Sequence, residues 1–194
     1  MIILSLVLLI ILLLLKSTVE VNIKNNYLQL VNKDNPISSN YEPSNLVLVN
    51  IPTIIDKTIY ICDPVLQAYE ELYLNALEKN IKFFVFSGFR SFSYQEEIFI
   101  NEYITARPGY SKHQIGLALD IYTPDVGLTE ALGELPEGIW LEHHAHEYGF
   151  IIRYPKGKED ITKYVYEPWH IRYVGKHHAR KIYEGNLTLE EYLE

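Results

Sequence analysis

The sequence predicts an α+β domain, and three observations point there. Strand-like and helix-like stretches are mixed without regular βαβ alternation. The 194 residues suffice for one sizeable core but not comfortably for two. The chain also holds 16 tyrosines within an aromatic content of 13%, which favours a sheet-rich fold with amphipathic rings at a cleft or surface.

The elements follow in order. Residues 2–15 are apolar except for Ser5, and Lys16 ends the run. This is short for a membrane span, which needs roughly 17–25 residues, and suits a signal-peptide core. No Lys or Arg precedes it and no Ala-x-Ala site follows, so an uncleaved N-terminal anchor over residues 1–16 is expected, with a cleaved signal as the alternative. Apolar residues on the whole helical circumference speak against a core helix. Residues 17–26 read as a polar tether, and 27–194 as a single domain. Residues 28–36 are extended up to a turn at Pro36. β-branched content marks strands at 46–50 and 58–62. Asp63-Pro64 opens a helix as N-cap and N1, with Leu66, Tyr69, Leu72, Leu74 and Leu77 as its apolar face up to Asn80.

A buried strand is expected over 81–86, then a helix over 93–103 and a Pro-Gly loop at 107–110. Residues 117–122 read as a strand, 123–127 as a turn and 128–135 as a short helical piece. A helix over 137–148 has Gly149 as its C′ residue. A strand at 150–154, a turn at 155–158, an extended segment to Gly175, and helices at 176–183 and 188–193 complete the chain.

Net charge is −8, with only 17 basic residues, and no basic stripe is present to bind nucleic acid. Cys62 is the only cysteine, so no internal disulfide and no Cys-rich zinc site can form. Its Ile-Tyr-Ile-Cys context predicts a buried apolar role.

Two stretches carry chemistry. Ser111-Lys-His113-Gln-Ile-Gly116-Leu-Ala-Leu-Asp120 holds a histidine and an aspartate, and Glu167-Pro-Trp-His170 holds a glutamate and a second histidine. His113 and Asp120 would stand about 10 Å apart along a helix, and would point to opposite faces of a straight strand. Both can touch one ion only if the chain turns back between them, which Gly116 permits. His113 is therefore placed on a loop, Asp120 on the strand that follows, and His170 on another strand or loop. Two histidines and an aspartate make a three-ligand zinc site with one position left for water. Glu167 lies near enough in sequence to His170 to act as general base without binding the metal. Arg90, on the loop after a buried strand, is a candidate to clamp a substrate carboxylate or stabilise an oxyanion.

Taken singly, each residue also has a structural reading: a hydrogen-bonded His or Asp beside a sheet, or a surface arginine ion pair. Spacing alone leaves the two readings balanced. His143, His144 and His146 share a helix, and 143 and 146 a face, but no carboxylate pattern accompanies them, so they read as exposed helical residues, as do His177 and His178.

At these residues the sequence resembles the VanY-type zinc D-alanyl-D-alanine carboxypeptidases (peptidase family M15B), within the wider LAS metallopeptidases. The matching text includes Ser87-Gly-Phe-Arg90-Ser with Tyr94-Gln95, the stretch from Ala106 to Asp120, Trp140-Leu, Tyr148-Gly-Phe, Arg153-Tyr-Pro, and Glu167-Pro-Trp-His170-Ile-Arg-Tyr-Val-Gly175. Several ordered motifs are far more specific than one. The resemblance implies a small central, mainly antiparallel sheet flanked by helices, the LAS or Hedgehog-type DD-peptidase fold. It implies one zinc on His113, Asp120 and His170, Glu167 as catalytic base, Arg90 as stabiliser, and Ser111 and Gln95 lining the substrate site. Lys163 stands where such proteins often have glycine, a difference that concerns a turn. The implied substrate is a peptidoglycan stem peptide ending in D-alanine, met at a bacterial cell surface by a membrane-anchored, or otherwise secreted, monomer. An L,D-carboxypeptidase acting on tetrapeptide stems is the alternative within the class. A non-catalytic, zinc-containing wall-binding module is the alternative outside it, disfavoured because a binder needs neither Glu167 nor Arg90.

Overall fold

The computed structural model describes residues 11, 27–54, 57–102 and 105–194. The expected anchor and tether lie outside the described residues, apart from Ile11. Among the described residues no helix is long and apolar enough to cross a membrane.

Strands β1 (Leu46–Leu48) and β2 (Tyr60–Cys62) form a small antiparallel pair. Helix α1 (Asp63–Glu78) follows directly. Cys62 is its N-cap and Asp63 already sits in the first turn, one residue inside the expected start. The buried face of α1 is Val65, Leu66, Ala68, Tyr69, Leu72 and Ala76. This corrects the expected stripe: Leu74 and Leu77 are exposed. A 3.6-residue period that starts at Val65 passes through 68, 69, 72 and 76 and leaves 74 and 77 outside it.

The main sheet contains β3 (Phe84–Ser87), β4 (Ala118–Tyr122), β5 (Phe150–Tyr154) and β6 (Glu167–Tyr173) in the order β3-β4-β6-β5, every pair antiparallel. This is the expected α+β architecture. Strand alternation gives the sheet two unlike faces. Val85, Leu119, Ile121, Phe150 and Ile171 face α1 and form the main core with Leu72 and Phe83. The other face carries Asp120 and His170, directly paired in register, and Arg172, paired with Ala118. Ile151 on that side joins a second apolar cluster with Val174, Ile182 and Leu189.

Helix α2 (Phe92–Ile98) is shorter than expected; Ser91 caps it, its hydroxyl accepting from the Tyr94 N–H at 3.1 Å. The expected helix over 137–148 is α3 (Pro136–His144) running into a 3-10 turn (Ala145–Tyr148) that ends at Gly149, with φ of 92°. Helix α4 (Glu159–Thr162) was not expected; Lys163 closes it with φ of 63°, the left-handed conformation that explains why glycine suits this place. Helices α5 (Lys176–Glu184) and α6 (Leu189–Leu193) end the chain, and Thr188 and Glu191 form a capping box on α6.

Candidate metal centre

The site sits at one end of the polar sheet face. Asp120 on β4 and His170 on β6 are cross-strand partners, so their side chains project side by side. His113 arrives from a 3-10 turn (Lys112–Ile115) closed by Gly116 in the left-handed region, φ of 67°. A Cβ on Gly116 would stand 2.7 Å from Cys62 Sγ and 3.2 Å from Leu46 Cδ2, so both the conformation and the space select glycine. Burial pushes the Cys62 thiol up to about 11, in keeping with a packing role. Register shifts flank the site on both sides, between Val85 and Ser87 in β3 and between Ile152 and Tyr154 in β5. Such irregularities re-aim side chains at the rims of sheets.

His113, Asp120 and His170 each offer a ligand atom within 4.8 Å of the other two, and all three are buried. His113 Nε2 lies 3.3 Å from Asp120 Oδ2, and His170 Nδ1 lies 3.3 Å from Asp120 Oδ1. The Gly88 carbonyl, 2.6 Å from His113 Nδ1, can only accept, so it fixes the proton on Nδ1 and frees Nε2 as a lone pair. His113 Nε2 is buried without a hydrogen-bond partner, a costly state that a ligated cation would relieve, while His170 presents Nδ1 to Asp120. Two imidazoles and one carboxylate suit zinc, with three protein ligands and a side left open. Glu167 stands on that side, Oε2 3.3 Å from His170 Nδ1, and is more exposed than the three ligands. Arg90 Nη2 lies 3.5 Å from Asp120 Oδ2.

Burial drives His113 down to about 4, helped by Arg90 and opposed by Asp120. Burial alone would raise Asp120, but the two neighbouring imidazoles hold it well below the usual carboxylate range. For His170, burial is outweighed by Asp120 and Glu167, and its pKa is raised. The centre is thus built to keep a carboxylate ionised among imidazoles.

The centre opens into a cleft of about 390 Å³, whose wall includes Arg90, Ser111 and Glu167. Gln95 does not line this cleft. It is fully buried and donates from Nε2 to the Ala106 carbonyl at 2.7 Å, so it supports a residue that does. Spacing overlooked four wall residues: Lys33, Lys112, Tyr154 and Tyr164. Lys112 is 2% exposed and donates to the Tyr154 hydroxyl. Burial, with Arg153 adding, pushes its pKa well below the ordinary lysine range. Its place inside the histidine motif was the only signal in the sequence, and a lysine is ordinarily read as solvated.

The remaining histidines are engaged elsewhere. His146 stacks on Tyr183 with centroids 3.8 Å apart, His143 Nδ1 lies 3.2 Å from the Tyr183 hydroxyl, and His144 pairs with Glu147. His178 is not simply solvated, since its Nδ1 meets the Tyr192 hydroxyl at 2.7 Å.

Comparison with known proteins agrees with this geometry. Residues 58–176 match the family model VanY, described as D-alanyl-D-alanine carboxypeptidase. The carboxypeptidase-named YodJ of Bacillus subtilis (strain 168) is 44% identical over 184 residues, covering 87% of this chain and 67% of that protein. The solved structure of the LdcB LD-carboxypeptidase superposes with a TM-score of 0.83 at 42% identity, covering 88% of this chain and 86% of that one. A Zn(II) complex of the D,D-pentapeptidase VanY, from a VanB-type resistance cassette, gives a TM-score of 0.71 at 32% identity, covering 87% of this chain and 99% of that one. With the buried His-Asp-His cluster and its open side, these matches establish that the chain belongs to the VanY family of D-alanyl-D-alanine carboxypeptidases and is a zinc metallo-carboxypeptidase.

Proposed function

We propose that this chain removes the C-terminal D-alanine from peptidoglycan stem peptides, with Glu167 as general base and Arg90 as charge stabiliser. The observation that carries the reading is the placement of Glu167: its carboxylate stands 3.3 Å from His170 on the open side of the buried His113–Asp120–His170 cluster. A zinc ion held by those three residues supplies a Lewis acid for the scissile carbonyl and acidifies a water. Glu167 takes the proton of the attacking water and passes it to the amine that leaves as the C–N bond breaks. Arg90, held against Asp120, brings positive charge to the side where the carbonyl oxygen becomes anionic. Ser111 is assigned to substrate contact, a reading its place in the cleft wall supports; Gln95 acts behind the wall.

Glu167→Gln tests the base. Turnover should fall by roughly 10²–10⁴-fold with one zinc per chain retained. Full turnover by a zinc-loaded Glu167→Gln would remove the residue from this role.

The likeness to LdcB favours a second reading, release of D-alanine from a tetrapeptide stem across an L,D bond. Incubation with tetrapeptide and pentapeptide stems separates the two: D-alanine from the pentapeptide alone supports D,D specificity, and from the tetrapeptide alone the other. The apolar run at 2–15 and an extracytoplasmic substrate support a location at the bacterial surface, with membrane contact through that run. A site assembled from one chain supports a monomer. Fractionation of cells and sedimentation of the purified protein test these two points.

A further inference from the structure

Of the four lysines that line the cleft, Lys57 and Lys163 donate to the Phe86 and Asp160 carbonyls, whereas Lys112 and Lys33 gather at one aromatic pair. Lys112 Nζ lies 4.4 Å from the ring centroid of Tyr154 and 4.2 Å from that of Tyr164. Lys33 Nζ, brought in by the N-terminal segment, lies 4.7 Å from the same Tyr164 ring. The two tyrosines stack with centroids 4.5 Å apart. Among the described residues, no ion pair includes either lysine. Neither amine would have to give up an ion pair to receive an incoming carboxylate. Arg90, by contrast, is already engaged by Asp120.

A carboxypeptidase substrate brings one anion to a fixed place. Its terminal carboxylate lies one residue beyond the scissile carbonyl, a reach of about 3.6 Å. Tyr154 adjoins both places: its ring centroid is 5.1 Å from that of His170, and its hydroxyl accepts from Lys112.

We infer that Lys112 anchors the terminal carboxylate of the substrate, with Lys33 as the second amine and the Tyr154–Tyr164 stack as the wall alongside them. This rests on the carboxypeptidase reading and adds the reason for exopeptidase specificity: a peptide lacking a free C-terminus brings no carboxylate to the buried amine. Arg90 is then left to the oxyanion, so the two cationic tasks fall to separate residues.

The test compares a stem peptide ending in D-alanine with its C-terminal amide, on wild-type and Lys112→Met protein with zinc content measured. Wild type should strongly prefer the free acid. Lys112→Met should lower kcat/KM for the acid by roughly ten- to hundredfold, mainly through KM, and lose far less on the amide, so the preference collapses. Lys112→Arg should restore part of it. A zinc-loaded Lys112→Met that keeps the wild-type preference overturns the inference and leaves the carboxypeptidase reading standing. Wild type that cleaves neither peptide overturns both. Should Lys112→Met not fold or not hold zinc, Lys33→Met decides: a reduced acid preference supports the anchor, and an unaltered one overturns it.

Discussion

The polar face of β6 carries two buried clusters of charge, and they are finished in opposite ways. Around Arg172 the charged groups find their partners within the chain, although Arg172 Nη1 and Arg153 Nε are left without a hydrogen bond. Its guanidinium donates to the carbonyls of Tyr27, Gln29 and Tyr173 at 3.0–3.2 Å. Next to it on β5, Arg153 makes a bidentate pair with Glu190 at 2.9 and 2.5 Å, and Asn32 donates to the same carboxylate at 3.0 Å. These bonds tie the first described segment and the last helix to the sheet. Two residues before Arg172, the cluster around His170 has no such closure: His113 Nε2 and His170 Nδ1 both face the Asp120 carboxylate, and His113 Nε2 has no hydrogen-bond partner. A buried polar group is retained only when something satisfies it. In the first cluster each guanidinium finds a carboxylate or carbonyls within the chain, and the cluster is structural. In the second a metal ion must be the partner, and the cluster is functional.

Breaking the open cluster should give the largest effect. His170→Ala should abolish stoichiometric zinc binding, and its loss of turnover should exceed the roughly 10²–10⁴-fold expected of Glu167→Gln. Metal analysis beside a kinetic assay checks this, and a zinc-replete, active variant would erase the distinction between the clusters. The closed cluster should answer in stability instead. Arg153→Met leaves Glu190 buried without its partner and should cost about 3–5 kcal/mol in denaturant unfolding, with zinc per folded chain retained. Loss of zinc from a folded Arg153→Met protein would show the two clusters to be coupled.

A smaller effect sharpens the comparison through pH. Burial pushes Glu190 up, but Arg153 and Asn32 outweigh it, and its folded-state pKa is lowered. The pair therefore contributes fully above the ordinary glutamate value of about 4.3, and its contribution is lost as pH falls through the lowered folded value. Unfolding curves from neutral pH downward should show wild type losing stability over that window more steeply than Glu190→Gln. Equal slopes would mean that Glu190 does not distinguish folded from unfolded chain by its charge.

The legibility of these regions in the sequence also differs. The open cluster was readable because chemistry constrains both residue type and spacing: His113, Asp120, Glu167 and His170 sit in short motifs, and Gly116 marks the turn that two ligands seven residues apart require. The closed cluster was silent. Arg153 and Arg172 read as ordinary charged strand residues, since nothing local says that Tyr27, Asn32 and Glu190 come to meet them. Lys112 was overlooked for the same reason: an adjacent histidine gives no clue that two tyrosines distant in sequence will enclose its amine. On α1 the apolar face was legible as a type but not in phase, because leucine at 74 and 77 is as apolar as leucine at 72.

By itself the sequence determined the ligand set, the turn at Gly116, the family and most of the elements, because ligand chemistry, backbone conformation and side-chain periodicity act over a few residues. Tertiary structure decided what the strand order β3-β4-β6-β5 brings together: Asp120 opposite His170, Glu167 at the open side, and Lys33 and Lys112 at one aromatic pair on the wall of the same cleft. Those neighbours are separated by tens of residues along the chain, and the register of the packed sheet, which no local preference encodes, sets them side by side.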